Sequence, residues 1–407
     1  MNVAHRRTAL GSAHVPTFSS VPSGHMSHTP SREHDLVIFG ATSFVGKLIA
    51  KYVALNAADD TRVALAGRNE DKLRGVRASL PGTTSGWSII TADADDAEDM
   101  SALAESAAVI ISTVGPYNAY GRKLVGACAA AGTHYLDLAG EVLFVRDSIL
   151  DNDETARASG ARIIHSCGFD SVPSDVALYR LWQKQDSRLG DVEMVVSDLV
   201  GGMSGGTFAS ALDNFDSMDK LDSEQRTEAE SPFALSPRYS SEKDMKATGV
   251  KKGLAPFFMA QYNTRLIRRT AQVLDYGRDF TYSEYQRVGG PVKTAVFTAG
   301  LAAGAALLGS KAGRNVAGRF LPKPGEGPSS SDRAKGRFTL DTREHEHVHI
   351  ELELDPGYEG TALMISEAAF TLLDGEGLPE RAGVLTPASA LGDAYIDRLR
   401  AAGMLIS

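Results

Sequence analysis

Short apolar runs alternate with helical patterns through the first part of the chain. The runs are rich in β-branched residues and polar residues do not alternate with them, which is typical of strands buried on both faces of a sheet. A helical pattern separates each run from the next, and this order predicts a Rossmann-type, doubly wound α/β domain with a parallel sheet. We assign that domain to residues 34–170. The six runs occupy residues 36–39, 62–67, 87–93, 108–115, 134–140 and 161–168.

A different pattern occupies residues 171–385. Between His345 and Leu354 the residues alternate, with histidine and glutamate on one side and valine, isoleucine and leucine on the other. Such alternation predicts a strand with one face in solvent, which is most common in antiparallel sheets. The sequence therefore predicts an α+β second domain with a mostly antiparallel sheet. Its polar stretches, 221–253 and 323–333, are predicted to be loops.

The two ends of the chain differ from both domains. Residues 1–33 are rich in Ser, Thr, His, Pro and Gly and contain almost no apolar run, which predicts a disordered extension. No segment there has the apolar length of a secretory signal, and we keep Met26 as an alternative start. Residues 386–407 contain an amphipathic pattern that begins at Thr386 and Pro387, so a C-terminal helix is predicted.

Composition and charge narrow the function classes. The chain has 407 residues, a formal net charge of −9 and 43% hydrophobic residues, as expected for a soluble globular protein. An acidic balance of this size gives no support to a nucleic-acid partner. The two cysteines, Cys128 and Cys167, do not form a CxxC pair, which favours a reducing, cytoplasmic location.

One uncharged segment is relevant to where the protein lies in the cell. Residues 295–308, AVFTAGLAAGAALL, lie between Lys293 and Lys311. A membrane-spanning helix needs about 20 apolar residues, so this segment is too short to cross a bilayer comfortably. It predicts a helix that is buried in the protein or lies at a membrane interface, and peripheral membrane contact stays open.

The first apolar run leads into a turn that contains glycines. Gly40 ends the run and Gly46 opens the next helix. In a dinucleotide-binding turn, glycines let the main chain approach the pyrophosphate, and the free amides and positive dipole of the helix face the phosphates. The middle position is Ser43, whose main chain has less freedom than that of glycine, and a tight corner without a ligand is the alternative. The predicted phosphate-binding residues are Gly40, Thr42, Ser43, Phe44, Val45 and Gly46.

The ends of the following strands predict the type of cofactor. NAD-binding domains carry Asp or Glu at the end of the second strand, but this chain has Gly67 followed by Arg68. A guanidinium can hold the 2′-phosphate of NADP, so NADP (NADPH) is the predicted cofactor, unless Arg68 is only a solvated loop residue. Asp93, after the third run, is expected near the adenine or as a cap of the next helix. The fourth run adds Thr113, Val114, Gly115 and Pro116 to the cofactor site.

The candidate catalytic residues follow strands at the same sheet edge. Tyr117 follows the fourth strand and is a candidate general acid, with packing as the alternative. Asp170 and Ser171 follow the sixth strand and are candidates for contact with substrate or nicotinamide, with a turn and helix cap as the alternative. Asp137 and Glu141 follow the fifth strand, and one of them is a candidate for orienting the substrate, with helix capping as the alternative.

Two other groups are better explained by structure than by chemistry. Cys167 lies two residues from His165, but a buried packing cysteine is the simpler interpretation. His345, His347 and His349 share one side of an alternating strand, where polar residues face solvent, so no metal site is predicted.

Eight segments carry a resemblance to a known family. They are FGATSFVGKL, ALAGRNEDKL, TVGPYNAYG, AAAGTHYLDLAGE, HSCGFDSVPSD, GGMSGGTFAS, DPGYEGTA and GVLTPASALGDAYIDRL. With them the chain resembles the saccharopine-dehydrogenase-like oxidoreductases, and it is most similar to their trans-acting enoyl reductase branch. The resemblance extends from about residue 35 to residue 400, and GFDSVPSD and TPASALGD are its most specific parts. Ser43 departs from it, since relatives often carry glycine there.

The resemblance implies a function and partners. It implies an NADP-type Rossmann domain, an α+β second domain and a last helix that packs on the first domain. It also implies reduction, in trans, of the double bond of a lipid- or polyketide-linked enoyl thioester. An acyl-carrier-linked lipid is then the substrate and a polyketide synthase the partner.

Two other functions stay open. One is an oxidoreductase on the same fold for an amino acid or imine, in which Arg265, Arg268 and Arg269 hold a carboxylate. The other is a non-enzymatic protein that keeps the nucleotide fold and contacts membranes or lipid bodies through residues 295–308. The oligomeric state is open, a homodimer included.

Overall fold

The computed structural model describes residues 32–82, 84–185, 188–201, 205–236, 253–277, 280–317, 328–343 and 346–407, with the main chain only for 205–211. The predicted extension, residues 1–33, falls outside this set except for its last two residues. Of these, Arg32 donates from its guanidinium to the main-chain carbonyls of Glu105 and Ala131. The described part of the fold therefore begins just before the first strand.

Strands and helices alternate through the first half of the described residues. The strands are β1 (His34–Phe39), β2 (Val63–Gly67), β3 (Ser88–Thr91), β4 (Ala107–Ser112), β5 (His134–Asp137), β6 (Arg162–Ile164), β7 (Asp191–Val200), β8 (Leu254–Pro256), β9 (Thr281–Arg287), β10 (Arg337–Arg343), β11 (His349–Leu352), β12 (Gly383–Leu385) and β13 (Leu405–Ile406). The helices are α1 (Phe44–Asn56), α2 (Glu70–Ser79), α3 (Ala97–Ser106), α4 (Tyr117–Tyr120), α5 (Arg122–Ala131), α6 (Val142–Ser159), α7 (Val172–Lys184), α8 (Gly205–Met218), α9 (Ser223–Glu230), α10 (Ala260–Leu274), α11 (Pro291–Gly309), α12 (Lys311–Ala317), α13 (Ser330–Arg333), α14 (Thr361–Asp374) and α15 (Pro387–Ala401).

The first sheet has the strand order β12-β6-β5-β4-β1-β2-β3, and every pair of neighbours in it is parallel. Each of the six apolar runs overlaps one of its strands, so the predicted doubly wound parallel sheet is confirmed. Its seventh strand, β12, comes from near the end of the chain. The sequence assigns those residues to the second domain, but the chain returns to the first sheet there and pairs with β6.

Helix α14 also joins the two halves of the chain. Its residues Thr361–Leu372 are buried, and the helix packs against α1, β4 and β5. Glu367 of α14 accepts hydrogen bonds from Tyr52 of α1 and from Arg398 of α15. Helix α15 begins after the cap residue Thr386, where the sequence places its start, and packs against α14 and α7. Residues far along the chain therefore form part of the cover of the first sheet.

The second sheet has the strand order β13-β11-β10-β7-β9-β8. Its pairs are antiparallel except for β7 with β9, so the prediction of a mostly antiparallel sheet is confirmed. The alternating strand is shorter than predicted, but the apolar side chains of β11 are buried as expected. On its other side His347 and His349 contact the Asp341 carboxylate, and His345 lies outside the described residues.

The loop predicted over 221–253 is partly helical, which corrects the prediction. Helix α9 begins there because the Asp222 carboxylate accepts hydrogen bonds from the amides of Glu224 and Gln225. The Asp222 amide in turn donates to the Gln225 side chain, which completes a capping box. Residues 237–252 lie outside the described set. In the second predicted loop, the described residues include the one-turn helix α13.

The apolar segment 295–308 lies in α11, and the alternative that it is buried is wrong. Thr294 is the buried residue of this helix, whereas Val292 and Val296 are 75% and 68% exposed. The helix is longer than the apolar segment because Pro291, a residue favoured at the first helical position, begins it. Among the described residues it is the one helix that is long and apolar enough to cross a membrane.

Candidate active site

A cavity of about 1180 Å³ lies along the carboxyl edge of the first sheet. Loops that follow β1 to β6 form one part of its wall, and residues of the second half of the chain form the rest. All predicted cofactor and catalytic residues line it except Gly46 and Pro116. Those that line it are Gly40, Thr42, Ser43, Phe44, Val45, Arg68, Asp93, Thr113, Val114, Gly115, Tyr117, Asp170 and Ser171.

The turn after β1 requires glycine at both of its outer positions. Gly40 has a φ of +85°, and a Cβ there would lie 2.6 Å from Oγ1 of Thr113. A Cβ at Gly46 would lie 2.4 Å from the carbonyl oxygen of Gly40. Any side chain would therefore push α1 away from the turn, and the close approach of helix and main chain is the geometry that binds a pyrophosphate.

Ser43 strengthens this turn, which corrects the expectation that it restricts the main chain. Its φ of −66° lies in a region open to every residue, so the glycine of the relatives is not needed. Its Oγ accepts a hydrogen bond of 2.9 Å from the amide of Gly46 and lies 2.9 Å from Oγ1 of Thr113. The amides of Phe44 and Val45 have no partner among the described residues. They remain for an anion at the positive end of the helix.

The end of β2 leaves space and positive charge beside this turn. A Cβ at Gly67 would meet only the Leu73 side chain, at 3.7 Å and beyond, so the packing of the protein does not itself require glycine. Arg68 is exposed, lines the cavity, and forms no hydrogen bond or ion pair with any residue that the structure describes. Asn69, rather than Arg68, caps α2. This arrangement fits the 2′-phosphate of NADP.

Asp93 does not cap the helix that follows it. Its carboxylate accepts a hydrogen bond from the amide of Asp95, whereas Asp96 caps α3 through the amides of Glu98 and Asp99. Asp93 is exposed and lines the cavity. A position near the adenine therefore stays a prediction, and the alternative as a cap is excluded.

The geometry of Tyr117 favours the packing alternative over the general acid. Its hydroxyl donates to the carbonyl of Ser112 and accepts from the amide of Leu138, and its ring stacks on Phe144. Burial raises the pKa of this hydroxyl well above its usual range. The Glu141 carboxylate accepts hydrogen bonds from the amides that begin α4, so it fixes the same loop.

Asp137 fixes the ends of β5 and β6 rather than a substrate. One oxygen of this buried carboxylate accepts hydrogen bonds from the amides of Ala139 and Ser166, both 3.0 Å away. The other lies 2.7 Å from Nδ1 of His165, whose Nε2 lies 2.8 Å from Oγ of Ser148. Both ring nitrogens of His165 thus have hydrogen-bond partners, and neither partner is Cys167. That cysteine is buried, and burial raises the pKa of its thiol.

Asp170 lines the cavity with a carboxyl group that has no hydrogen-bond or ion-pair partner among the described residues. The residue is partly buried. Burial raises its pKa to about 6. A carboxyl group with such a pKa holds a proton in a useful fraction of molecules near neutral pH.

Ser171 lies directly before the first residue of α7, but its side chain does not cap that helix. Its Oγ donates to Oδ1 of Asn263, and the amide nitrogen of that side chain donates to both carboxylate oxygens of Glu284 and to the carbonyl of Asp170. Glu284 is fully buried, and burial raises its pKa to about 7. Asn263 and Glu284 thus hold Asp170 and Ser171 in place, and no pattern in the sequence predicts this buried network.

Outside the cofactor residues the cavity wall is mixed, with polar residues such as Asp219, Arg226 and Glu230 among apolar ones. Of the three arginines considered for a carboxylate, only Arg265 lines the cavity, and its guanidinium donates to three main-chain carbonyls. Arg268 lies over the ring of Phe233, and Arg269 pairs with Asp153. The apolar lining residues include Leu138, Phe169, Leu199, Phe215, Phe258 and Met259.

Comparison with known proteins identifies the family. Residues 36–164 match the model of the saccharopine dehydrogenase NADP-binding domain. A trans-acting enoyl reductase of Mycobacterium tuberculosis, so described, is 41% identical over 413 residues, which cover 93% of this chain and 98% of that protein. A trans-acting enoyl reductase of Mycobacterium leprae, also so described, is 37% identical over 92% of this chain and 97% of its own length. The chain belongs to the trans-acting enoyl reductase family.

The family is part of the saccharopine-dehydrogenase-like oxidoreductases, and the chain is an NADP-dependent oxidoreductase. Saccharopine dehydrogenase of Saccharomyces cerevisiae shares its fold, with a TM-score of 0.52 at 12% identity over 92% of this chain and all of that one. The glycine turn, the free helix amides and Arg68 fit this cofactor type.

Replacing Arg68 by alanine should weaken NADPH binding and leave NADH binding unchanged, because only NADPH carries the 2′-phosphate. The expected loss is roughly tenfold to hundredfold, since a hydrogen bond to a charged group contributes about 1.5–3 kcal/mol. Titration followed by nicotinamide fluorescence measures both affinities. Arg74→Ala, which removes an exposed arginine of α2 paired with Glu70, is the matched control. An equal loss for both nucleotides would contradict the assignment.

Replacing Gly46 by alanine should lower the free energy of unfolding by about 1–3 kcal/mol, the usual cost of overpacking. The reason is the 2.4 Å approach of the new Cβ to the Gly40 carbonyl. Gly75→Ala is the control, because a Cβ there meets no atom within 4 Å. It should stabilise α2 by up to about 1 kcal/mol. Chemical denaturation compares the two, and equal stability of Gly46→Ala and wild type would show that the turn is looser than described.

Proposed function

We propose that this oxidoreductase uses NADPH to reduce the carbon–carbon double bond of an enoyl thioester that an acyl carrier presents in trans. The observation that carries the proposal is one cavity whose wall contains both the glycine turn with Arg68 and a set of apolar side chains, among them Phe169, Leu199 and Phe258. Apolar lining of this kind suits a lipid or polyketide chain. Relatives at 41% and 37% identity are named trans-acting enoyl reductases, which supports the same substrate class and a polyketide synthase as partner.

Different residues have different roles in the proposed reaction. When bound, NADPH supplies the hydride that the β-carbon of the enoyl group takes up. Asp170 holds the proton that the α-carbon takes up, so that the CH=CH double bond becomes a saturated CH2–CH2 bond. The apolar side chains, among them Phe169 and Phe258, exclude water from the reacting carbons. Ser171, Asn263 and Glu284 hold the segment that carries Asp170.

An amino acid or imine substrate is less well supported. Its carboxylate would need a cation in the cavity. The guanidinium of Arg265 is already bonded to three main-chain carbonyls, and that of Arg226 pairs with Asp219 and donates to the carbonyl of Met218. The likeness to the yeast saccharopine dehydrogenase is a likeness of fold and adds nothing on substrate.

The protein should oxidise NADPH when given a medium-chain trans-2-enoyl pantetheine thioester and should not do so with saccharopine. The rate should fall as the pH rises through about 6, because the proton donor, Asp170, has its pKa raised to about 6 and acts in its protonated form. Asp170→Asn should lose this pH dependence and about 10²–10⁴ of the rate, the usual contribution of a general acid.

Asp60→Asn, in an exposed loop, is the control for this measurement and should behave as wild type. Formation of the saturated thioester, seen by mass spectrometry, identifies the product. Turnover of saccharopine without turnover of any enoyl thioester would contradict the proposal.

We further propose that the protein is cytoplasmic and contacts membranes through α11, which would bring the cavity close to lipid-borne substrate. The helix is largely exposed, contains no acidic residue, and has Lys293 and Lys311 near its ends. One side of it is partly covered, from Thr294 to Leu308, whereas Val292, Val296 and Leu307 are exposed apolar residues that suit a membrane interface. Its last residue, Gly309, lines the cavity.

Sedimentation with phosphatidylcholine–phosphatidylglycerol vesicles tests this contact. Wild type should bind, and the double variant Val296→Lys, Leu307→Lys should bind at least about tenfold more weakly, because each charge must leave the apolar interface. Leu150→Lys, at an exposed leucine of α6, should bind as wild type does. Equal binding of all variants would show that α11 does not form the membrane contact. Vesicle binding without any NADPH-dependent reduction would favour a non-enzymatic protein.

A further inference from the structure

A buried pair of hydroxyl groups forms part of the cavity wall and has no place in the mechanism so far. Ser166 follows β6 and Tyr262 lies in α10, and both residues line the cavity. Their oxygens are 2.5 Å apart, and Oγ of Ser166 is also 2.6 Å from the carbonyl oxygen of Ala139. Both side chains are almost fully buried.

The main chain at Ser166 is strained in a way that the surrounding bonds maintain. Its φ of +65° is left-handed, which is uncommon for residues other than glycine. Asp137 accepts a hydrogen bond from its amide and Ala139 accepts one from its hydroxyl, so neighbouring groups hold this conformation. Strain of this kind is concentrated at binding and catalytic sites, where it directs a side chain. Here it directs the hydroxyl toward Tyr262.

The pair can change its hydrogen bonds by rotating two O–H bonds. In one arrangement Tyr262 donates to Ser166, which donates to the Ala139 carbonyl. In the other, Ser166 donates to the oxygen of Tyr262, whose own proton is then free to point at a ligand. The second arrangement becomes favourable when the cavity holds an additional acceptor, because no non-hydrogen atom has to move.

The reduction of an enoyl thioester creates such an acceptor. When the β-carbon gains hydride, the electrons of the double bond move toward the thioester and form an enolate with negative charge on its oxygen. Protonation of the α-carbon by Asp170 restores the carbonyl. A fixed donor at this oxygen lowers the barrier because it bonds more strongly to the charged form than to the neutral carbonyl.

We propose that Tyr262, supported by Ser166, donates the hydrogen bond that stabilises this oxygen, and the assignment rests on the enoyl thioester function proposed above. Tyr262 remains a donor rather than an acid, since burial, together with the nearby Asp137 and Glu141, raises the pKa of its hydroxyl. The Asp137 carboxyl group is itself hydrogen-bonded to two amides and to the His165 ring. Proton transfer is thus left to Asp170.

Tyr262→Phe keeps the ring and removes the donor. We expect kcat/KM for a medium-chain trans-2-enoyl pantetheine thioester to fall on the order of 100-fold, the usual cost of losing one donor to an oxyanion. NADPH affinity and thermal stability should stay close to those of wild type. Tyr276→Phe is the matched control, because Tyr276 is also a fully buried tyrosine but does not line the cavity. It should keep wild-type kcat/KM.

A spectroscopic measurement separates a direct bond from a structural effect. The thioester, labelled with carbon-13 at its carbonyl, is bound to the protein together with NADP⁺, which cannot reduce it, and its infrared stretch is recorded. The stretch should lie at lower frequency than in solution with wild type and Tyr276→Phe. It should return toward the solution value with Tyr262→Phe.

Each result decides between the two proposals. An active wild type whose Tyr262→Phe variant has an unchanged rate would overturn the role of Tyr262 and leave the proposed function standing. A reduced rate with an unchanged carbonyl stretch would also overturn it, because the tyrosine would then act only through structure. A wild type that neither reduces nor binds any enoyl thioester would overturn both.

Discussion

The parallel alignment of the first sheet is the constraint on which the site depends. Because all its strands point the same way, the loops after β1, β2, β4, β5 and β6 meet at one edge. Close contacts then fix the positions of these loops relative to one another. Gly40 lies against Thr113 after β4, and the buried carboxylate of Asp137 after β5 holds the main chain of Ser166 after β6.

Burial gives the polar groups of this edge different chemical roles. Asp170 lacks a partner among the described residues and therefore holds its proton to a higher pH than usual. Tyr262 and Tyr117 are kept neutral by the same desolvation, but only Tyr262 has a hydroxyl partner that can rotate. Arg68, by contrast, stays exposed and available to a phosphate. The cavity wall thus offers an exposed cation to the cofactor phosphate, and a carboxyl group and a tyrosine hydroxyl of raised pKa to the substrate.

The sequence predicts the parts of this site that depend on local order along the chain. The apolar runs show the sheet, and the glycine spacing and Arg68 show the cofactor edge, because strand, turn and helix start follow one another within a few residues. Ser43 shows the limit of such rules, since its benefit depends on a contact with Thr113 that only the folded turn reveals.

The remaining features depend on contacts between distant parts of the chain. From α10, Tyr262 reaches the cavity and Asn263 reaches Ser171, and both lie more than 90 residues after their partners Ser166 and Ser171. Strand β12 has only three residues, too few to show a periodicity. The exposure of α11 also escapes prediction, because an uncharged composition is the same in a buried helix and in one that faces lipid.

The most direct test of the account follows the hydride itself. NADPH carrying deuterium at C4 of the nicotinamide, in each of its two stereochemical forms, is incubated with the protein and an enoyl thioester, and the product is analysed by mass spectrometry and NMR. One of the two forms should place a single deuterium on the β-carbon, because the cavity holds cofactor and substrate in one orientation. Deuterium on the α-carbon, or a product without deuterium from both forms, would contradict the claim that this cavity joins NADPH to the enoyl group.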